Sequence, residues 1–367
     1  MKAAPIIAAF DEHNSRSDKR HTVRQILVHT GQHYDPSMSA LFFDELGLPR
    51  PDVNLGVGSG SHGEQTGRIM EAFEKVLVLE RPDLVMVVGD VNSTMACAID
   101  AKKLGIPVAH VEAGLRSCDL TMPEEINRIV TDSIADLLFT TDRRANEHLQ
   151  REGIPASKIH FVGNVMIDTL LKHRGRALQL STLQELGLLT DGAKPADYVL
   201  VTLHRPSNVD DQHVLGEVAE AFAVIGARMP VIFPVHPRTR GAIGRFGLSD
   251  RFSEKANIRL LDPLGYLDFL NLQANASVII TDSGGIQEET TILGVPCLTV
   301  RPNTERPITI EQGTNRLVES NKKAIVSAFD EAVSGKRRGV RVPELWDGKS
   351  AHRIVNVVVD WFSRRSA

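Results

Sequence analysis

The sequence predicts an α/β protein of two domains, each built on a parallel β-sheet with helices on both faces. Two observations favour this class. Short runs of apolar and β-branched residues alternate with longer amphipathic segments along the chain, which is typical of parallel sheets covered by helices. The chain also has 367 residues, more than one ordinary hydrophobic core holds, since a domain has about 150–200 residues.

The first half of the chain contains five predicted strands. They are Gln25–His29, Leu84–Val88, Val108–Val111, Leu137–Thr141 and Ile159–Val162. Amphipathic periodicity predicts helices over Gln65–Leu79 and Glu124–Ile134, between these strands. The chain itself opens in a predicted helix, Lys2–His13, whereas a doubly wound domain opens with the strand that becomes central in its sheet. We therefore expect the first strand of this domain to be missing from the sequence.

The second half repeats the pattern. Its predicted strands are Tyr198–Leu203, Val231–Pro234, Ile258–Leu260, Val278–Thr281 and Cys297–Val300. A helical segment, Asn164–Leu180, and a linker-like stretch, Thr190–Pro195, precede them. We assign residues 1–165 to the first domain and residues 166–350 to the second. The amphipathic helix within residues 351–367 is expected to pack back on the first domain.

Composition excludes several partners and predicts a compartment. The formal net charge of −4 gives no electrostatic reason to expect nucleic acid or an anionic membrane surface. No run approaches the roughly 20 apolar residues of a membrane span, and Ala3–Phe10 is too short for a signal peptide. Cys97, Cys118 and Cys297 are widely spaced, without a C-x-x-C pair. This cysteine usage predicts a cytoplasmic protein without disulfides or a zinc site.

The strongest functional motif lies at the end of a predicted buried strand. Val278–Thr281 is followed by Asp282-Ser283-Gly284-Gly285, and then a helix begins. The two glycines let the backbone approach a ligand, and the free N–H groups of the helix suit a pyrophosphate. Glu289, further along the helix, suits the vicinal hydroxyls of a ribose. The alternative is an ordinary strand–turn–helix junction whose Ser and Gly serve the turn alone.

A second glycine-rich segment carries a weaker signal. Gly58–Gly63 matches G-x-G-x-x-G, and Asp83 follows it by twenty positions, as in a dinucleotide-binding fingerprint. However, Asp83 precedes its strand, whereas the fingerprint requires an acid at the end of the strand. We therefore interpret Gly58–Gly63 as a flexible loop before the helix at Gln65.

Acidic and imidazole groups follow several predicted strands. Asp90 and Glu112 come directly after strands of the first half, and Glu124 opens the next helix. His204 and His236 follow strands of the second half. Ligands of open α/β sheets bind at the carboxyl ends of the strands, so these positions favour acid–base catalysis. Each residue alone also fits a simpler role as a cap, a turn former or a loop histidine.

Taken together, these segments resemble the non-hydrolysing UDP-N-acetylglucosamine 2-epimerases. The matching segments occur in family order and cover essentially the whole chain. They are Thr30-Gly31-Gln32-His33, Gly89-Asp90, His110-Val111-Glu112-Ala113-Gly114-Leu115-Arg116, Pro123-Glu124-Glu125-Ile126-Asn127-Arg128, His204-Arg205, Asp282-Ser283-Gly284-Gly285-Ile286-Gln287-Glu288-Glu289 and Thr304-Glu305-Arg306-Pro307.

The resemblance implies two Rossmann-like domains with a central cleft, the glycosyltransferase-B arrangement. It also implies a homodimer that needs no metal and no nicotinamide or other cofactor. The positions that match the family's catalytic set are Asp90, Glu112, Glu124 and His204. The positions that match its UDP-sugar contacts are Lys2, Arg116, Arg205, Phe269 (beside uracil), Ser283, Gly284, Gly285, Glu289 and Arg306.

The implied reaction is reversible inversion at C2 of UDP-N-acetylglucosamine through elimination of UDP and a 2-acetamidoglucal. The sequence does not assign base and acid among the three carboxylates. A UDP-2,3-diacetamido-glucuronate 2-epimerase is the rival of the same class. The same motifs also fit a hydrolysing epimerase, a glycosyltransferase or a UDP-sugar-binding remnant without catalysis.

Two departures from the family pattern qualify the resemblance. The family begins with a strand and a Gly-Thr-Arg-Pro-Glu loop, whereas this sequence starts at Met1-Lys2 within the helix that follows that loop. Family members regulated by a second UDP-N-acetylglucosamine tend to carry Arg where Glu64 stands here. Glu64 therefore favours a protein without that regulation. The segment Gly58–Thr66 also resembles the epimerases that act on UDP-2,3-diacetamido-glucuronate.

Overall fold

The computed structural model describes residues 1–16, 22–31, 43–335 and 341–365. The chain divides into two compact units. The first unit contains Met1–Thr169 and the C-terminal segment from Glu344, and the second contains Leu170–Pro343. All pairings between the strands of the described ranges are parallel, which confirms the predicted α/β class.

The principal elements follow in chain order. The strands are β1 Val28–His29, β2 Val53–Asn54, β3 Val85–Val88, β4 Val108–Ala113, β5 Leu137–Thr140, β6 Ile159–Phe161, β7 Val199–Thr202, β8 Val231–Pro234, β9 Ile258–Leu261, β10 Val278–Thr281, β11 Cys297–Val300 and β12 Asn315–Val318. The helices are α1 Ala3–Arg16, α2 His62–Glu80, α3 Asn92–Lys103, α4 Pro123–Ile134, α5 Arg143–Arg151, α6 Val165–Ala177, α7 Thr182–Glu185, α8 Pro206–Val209, α9 Gln212–Gly226, α10 Pro237–Arg245, α11 Tyr266–Asn275, α12 Gly284–Leu293, α13 Ile308–Glu311, α14 Lys322–Val333 and α15 Ser350–Arg365.

The first unit is organised by a four-stranded sheet in the order β3-β4-β5-β6, with β1 and β2 paired separately. Successive residues of a strand face opposite sides of the sheet, so a strand covered on both faces is apolar throughout. On one face, Val108 and Leu138 pack with α2 and α3. On the other face, Val111 and Phe139 pack with α1 and α15. The C-terminal helix α15 therefore belongs to the core of the first unit.

A buried carboxylate secures the start of α15. Asp168, in α6, accepts hydrogen bonds from the backbone N–H groups of Ser350 and Ala351. These N–H groups lie at the first turn of α15, where a helix has no internal acceptors for them. The side chain of Asp168 thus caps a helix that begins some 180 residues later in the chain, at distances of 3.1 and 2.7 Å.

The second unit has a six-stranded sheet in the order β12-β11-β10-β7-β8-β9. The chain builds outward from β7 to β9 on one side, and then returns to build β10 to β12 on the other. The order therefore reverses between β7 and β10, where Thr202 pairs with Thr281. Open α/β sheets bind ligands just beyond the carboxyl ends of the two strands at such a switch point.

The structure refines several predicted boundaries. Helix α2 begins at His62 rather than Gln65, and Ser61 caps it by accepting a hydrogen bond from the N–H of Glu64. Part of the segment predicted as a loop is therefore the first turn of a helix. The stretch Thr190–Pro195 forms a turn closed by a bridge between Leu189 and Pro195, inside the second unit. None of the helices in the described part of the chain has the length and apolarity needed to span a membrane.

Candidate active site

Glu112 occupies an irregular position at the end of β4. The pairing of β4 with β5 shifts register between Val111 and Ala113, so Glu112 lies in a bulge. Its φ is +71°, in the left-handed region that residues with a Cβ rarely adopt. Such strained backbone persists only where surrounding contacts hold it, and it clusters at functional sites. The carboxylate at this bulge is almost completely buried.

A cation from the start of the chain accompanies this carboxylate. The ammonium group of Lys2 forms an ion pair with Oε2 of Glu112. The other carboxylate oxygen of Glu112, Oε1, is buried and has no hydrogen-bond partner among the residues described. A Cβ at Gly89 would lie 3.3 Å from Nζ of Lys2, so glycine leaves room for the cation. The arrangement holds one oxygen in place and leaves the other without a partner.

Asp90 follows β3 and is held by a buried guanidinium. Arg128, in α4, forms ion pairs with both Asp90 and Glu125. Glu125 also accepts hydrogen bonds from the N–H groups of Ser117 and Cys118. Burial alone would raise the pKa of Glu125, but the Ser117 N–H and Arg128 bring it below its ordinary value. Arg128 is therefore fixed from one side and presents its charge to Asp90.

Glu124 precedes Glu125 in the chain and is more exposed than it. It stands in the first turn of α4, directly after Pro123, and it is half-buried, whereas the adjacent Glu125 is buried. Arg116, predicted as a substrate contact, is buried in the first unit. Its buried side chain forms ion pairs with Asp132, at 2.7 Å, and with Glu152, at 2.6 Å. The structure thus places Arg116 among supporting ion pairs.

The switch point of the second unit carries a histidine–aspartate pair. Nδ1 of His204 lies 2.9 Å from Oδ1 of Asp282, whose side chain is fully buried. Asp282 also accepts hydrogen bonds from the backbone N–H groups of His204 and Arg205 and from the amide of Asn208. Burial alone would raise the pKa of Asp282, but His204 and the other donors hold it below its ordinary value.

Ionised Asp282 accepts the Nδ1–H of His204, which leaves Nε2 as the ring nitrogen that can exchange a proton with a ligand. The side chain of His204 is 44% exposed, so its ring is accessible to a ligand. The ring of His236 lies 5.7 Å away, centroid to centroid. Arg205 follows His204 and donates from Nε to the carbonyl of Asp282 at 3.1 Å. His204 therefore suits proton exchange with a ligand.

Helix α12 starts beside a buried arginine. Ser283 is its N-cap residue, and the helix itself begins with Gly284 and Gly285. A Cβ at Gly284 would lie only 2.5 Å from Nη1 of Arg306, so the guanidinium approaches the helix start because no side chain stands there. Arg306 donates from Nε to Glu288 at 2.7 Å. A cation and a helix N-terminus meet here, which suits a phosphate group.

A second pair of charges supports this arginine. Glu305 forms ion pairs with both Arg306 and Arg301. Burial alone would raise the pKa of Glu305, but the two guanidinium groups hold it well below its ordinary range. The two arginines, Glu288 and Glu305 are all buried. The cluster therefore balances its own charge while it positions Arg306 under the first turn of α12.

Glu289 is the third element of this region. It is buried, and its two oxygens accept hydrogen bonds from the hydroxyl of Tyr266, at 3.0 Å, and the amide of Gln273, at 2.8 Å. Burial raises the pKa of Glu289, and these two hydrogen bonds oppose the shift only in part. Phe269 lies on the same helix as Tyr266 and is half-buried against the apolar cluster of this unit.

Sequence reasoning missed the groups that hold the predicted residues. Arg128, Tyr266, Gln273 and Asn208 were not assigned a role, nor were His110 and Asp132 as a pair. Gln32 and His33, part of a matching segment, lie outside the described residues. The predicted residues fall into two sets. One set, in the first unit, contains Lys2, Asp90 and Glu112, together with Glu124 at the start of α4. The other contains the residues around β7 and β10 in the second unit.

Comparison with known proteins assigns the chain to a family. The family model described as UDP-N-acetylglucosamine 2-epimerase matches residues 15–359. The chain belongs to this family. Its curated relatives include the UDP-N-acetylglucosamine 2-epimerase of Methanocaldococcus jannaschii, 44% identical over 98% of this chain and 95% of that protein. A UDP-2,3-diacetamido-2,3-dideoxy-D-glucuronate 2-epimerase of Pseudomonas aeruginosa is 43% identical over 84% of each chain.

Solved structures agree with this assignment. The crystal structure of the M. jannaschii enzyme in complex with UDP-GlcNAc and UDP superposes with a TM-score of 0.88, at 42% identity, over 98% of this chain and 96% of that one. The Neisseria meningitidis enzyme bound to UDP-GlcNAc gives a TM-score of 0.86 at 28% identity, over 98% and 96% of the two chains. Both the predicted family and the predicted fold class are thereby confirmed.

Proposed function

We propose that this member of the family is an isomerase that reversibly inverts C2 of UDP-N-acetylglucosamine to give UDP-N-acetylmannosamine. The observation that carries the proposal is the switch point of the second unit. There, the half-exposed His204 pairs with the buried Asp282, and the guanidinium of Arg306 lies against the helix N-terminus that follows. Near-full-length relatives named for this activity support the same substrate.

The second unit supplies groups suited to UDP. The first turn of α12, with Ser283, Gly284 and Gly285, offers backbone N–H groups to the pyrophosphate, and Arg306 adds a positive charge. Glu289 accepts hydrogen bonds from the ribose hydroxyls with the remaining lone pairs of its oxygens. We assign Phe269 to the uracil.

The chemistry needs both a leaving-group anchor and acid–base groups. The proton at C2 of an N-acetylhexosamine is not α to a carbonyl, so it becomes labile only as the C1–O bond to UDP breaks with oxocarbenium character. The electron pair of the C2–H bond then forms the C1–C2 double bond of a 2-acetamidoglucal, and UDP departs with the electrons of the C1–O bond. Re-addition of UDP and protonation of C2 on the opposite face complete the inversion.

Five side chains are proposed for the proton transfers and charge stabilisation. Asp90, Glu112 and Glu124 provide carboxylates, among which the base that removes the C2 proton and the acid that returns one are found. Lys2 stabilises negative charge beside Glu112. His204, with Asp282 behind it, donates to the departing UDP oxygen or the sugar. Arg205 adds a contact to the substrate.

Turnover in deuterium oxide tests the reaction. UDP-N-acetylglucosamine is incubated with the enzyme, and proton NMR follows the product. We expect UDP-N-acetylmannosamine with deuterium at C2 and at no other carbon. A product that keeps its C2 hydrogen contradicts the elimination route, free N-acetylmannosamine identifies a hydrolase, and binding without turnover identifies a non-catalytic protein.

A second substrate is favoured by one observation. The segment Gly58–Thr66 resembles the diacetamido-uronate epimerases, and the P. aeruginosa relative with that name is 43% identical. UDP-2,3-diacetamido-2,3-dideoxy-D-glucuronate is therefore assayed in parallel under identical conditions. A kcat/KM at least about tenfold higher for either sugar nucleotide, equivalent to about 1.4 kcal/mol of transition-state binding, assigns the substrate.

We further propose that the enzyme acts as a homodimer in the cytoplasm. All three cysteines are free thiols, which suits a reducing compartment. Val78, Leu79 and Leu104 are exposed apolar residues at the ends of the packed helices α2 and α3. Apolar residues grouped on a surface suit contact with a second subunit. Light scattering coupled to gel filtration measures the mass, and a monomer at micromolar concentration contradicts the proposed dimer.

A further inference from the structure

His110 has both ring nitrogens committed to acceptors. The ring is fully buried in β4, with Nδ1 2.6 Å from Oδ1 of Asp132 and Nε2 2.8 Å from the carbonyl oxygen of Gly89. A backbone carbonyl cannot donate a hydrogen bond, so Nε2 carries a proton. The state of the ring therefore depends on which side holds the proton between Nδ1 and Asp132.

The surroundings of Asp132 place that proton on the ring. Its second oxygen, Oδ2, accepts hydrogen bonds from the N–H of Gly114, at 3.0 Å, and from the guanidinium of Arg116, at 2.7 Å. Donors directed at a carboxylate stabilise its ionised form. With Asp132 ionised, Nδ1 must donate as well, and His110 is an imidazolium ion.

The charged groups that face the ring agree with this state. Burial alone would lower the pKa of His110, but Asp132, the Gly89 carbonyl and the negative charge of Glu112 raise it above its ordinary value. Burial alone would raise the pKa of Asp132, but His110 and Arg116 hold it below its ordinary value. Arg116 in turn forms an ion pair with Glu152. Cations and anions therefore alternate through the network.

This pair ties together the two loops that carry Asp90 and Glu112. On one side, Nε2 of His110 holds the carbonyl of Gly89, the residue immediately before Asp90. On the other side, Asp132 holds the N–H of Gly114, two residues after Glu112. With Asp132 ionised, a neutral ring has one N–H donor only, so it could bond either the Gly89 carbonyl or Asp132 but not both.

We propose that His110 is a positioning residue of the epimerisation, which as a permanent imidazolium ion holds the Asp90 and Glu112 loops in register with each other. This inference rests on the proposed function for its kinetic consequence, but the charge state of the ring does not. A displacement of about 1 Å in a catalytic group costs up to about 100-fold in rate. The ring itself does not contact the substrate.

The charge state is measured first, on the unaltered enzyme. Nitrogen-15 labelling of histidine and NMR report whether each ring nitrogen carries a proton, and the signals that disappear in His110→Gln are those of His110. We expect both nitrogens of His110 to remain protonated from pH 6 to pH 8, where an ordinary histidine with a pKa of about 6.5 loses a proton. A single protonated nitrogen at pH 7 overturns the proposal.

Two substitutions separate the contacts kinetically. His110→Gln retains a donor near the position of Nε2 and so the Gly89 contact, whereas His110→Asn retains one near Nδ1 and so the Asp132 contact. We expect both variants to lower kcat at least about tenfold, Asn more than Gln, with KM changed less than about threefold. Wild-type kcat in either folded variant contradicts the positioning role.

The matched control is His160→Gln. His160 is a partly buried histidine of β6 that packs against Phe139 and holds neither catalytic loop. We expect its kcat to equal that of the wild type at a comparable loss of thermal stability. An equal loss of kcat in the control shows that general destabilisation explains the effect and overturns the proposal. If the unaltered enzyme turns over neither sugar nucleotide, the proposed function fails, while the NMR result still decides the charge state.

Discussion

The His110–Asp132 pair of the first unit and the His204–Asp282 pair of the second contain the same two side chains in different surroundings. Both aspartates are fully buried, and each is kept ionised by further hydrogen-bond donors besides the histidine. The histidines differ. The His110 side chain is 0% exposed and has an acceptor at each nitrogen, whereas that of His204 is 44% exposed.

The exposure of the histidine ring, rather than the pairing itself, therefore decides whether a histidine–aspartate pair holds structure or exchanges protons. A ring enclosed by acceptors on both sides keeps both of its protons in hydrogen bonds, so it fixes structure. A ring with one nitrogen toward a ligand retains a position at which a proton is gained or lost. Substitutions at each pair, and at a third buried carboxylate, test this contrast.

The largest effect is expected from removing the exposed ring. His204→Asn should lower kcat by about 10²–10⁴, the usual contribution of a proton-transfer group, while the free energy of unfolding changes little because the ring is half-exposed. Steady-state kinetics and urea unfolding measure the two quantities on the same preparation. A variant with wild-type kcat would exclude His204 from the proton transfers.

Unlike the exposed ring, the buried pair should contribute strongly to the stability of the fold. Asp132→Asn leaves the His110 and Arg116 cations facing a neutral amide in the interior, and breaking a buried ion pair costs about 3–5 kcal/mol of unfolding free energy. Urea denaturation measures the loss. Glu344→Gln, which breaks the exposed ion pair with Arg143, serves as the control and should leave the denaturation midpoint unchanged. Equal midpoints for wild type and Asp132→Asn would show that the network does not carry charge.

A third carboxylate extends the comparison to neutral donors. Tyr266→Phe removes the hydroxyl that donates to Glu289, and a hydrogen bond to a charged group contributes about 1.5–3 kcal/mol. We expect UDP to bind about tenfold or more weakly, with kcat unchanged, as calorimetry and kinetics report. Tyr198→Phe is the matched control, since its buried hydroxyl donates to the carbonyl of Leu272 instead. Comparable loss of UDP affinity in both variants would contradict a specific role for Glu289.

The smallest effect is a dependence on pH. The pKa of His110 is raised in the folded protein, so its contribution to stability is complete below the unfolded pKa of about 6.5 and is lost as the pH rises through the folded pKa. The difference in unfolding free energy between wild type and His110→Gln should therefore be largest at pH 5–6 and decrease toward pH 9. A difference that grows with pH would reverse the assignment of charge.

Strands of the central sheets were predicted accurately because their burial appears directly in the sequence. Val278–Thr281 and Val231–Pro234 are continuous apolar runs, and both were predicted with the bounds that the structure has. Helix α3, by contrast, was not predicted. Ala96, Cys97, Ala98 and Ala101 are all buried, so the helix shows no polar face with a period of 3.6 residues.

Edge strand β12 was missed for the opposite reason. It begins with Asn315 and Arg316, residues that are uncommon in strands. Asn315 is nevertheless buried, where its amide contacts Thr299, Gln287 and Thr309. A polar residue of this kind is stabilised by partners outside its own strand, two of them 16 and 28 positions away, which the pattern of the strand does not contain.

The candidate site shows the same difference between residues that follow a local sequence pattern and residues that depend on contacts elsewhere in the fold. Asp90, Glu112, Ser283 and Glu289 were predicted because each follows a recognisable strand, or a turn at its end. Their supporting partners were not, since a hydrogen bond such as that from Tyr266 to Glu289 joins residues 23 positions apart. The sequence therefore locates the groups proposed for chemistry, whereas the groups that orient them emerge only from the fold.

The packing of α15 on α1 has a consequence for synthesis. The first unit draws strands and helices from residues 1–169 and its last helix from Ser350–Arg365. A ribosome that has translated the chain to residue 343 has synthesised every residue of the second unit, whereas the first unit still lacks a helix that covers one face of its sheet. Domains generally fold in order of their emergence. In this chain, the unit whose residues appear first is the last to be completed, so nascent-chain factors encounter its apolar sheet face until α15 has emerged.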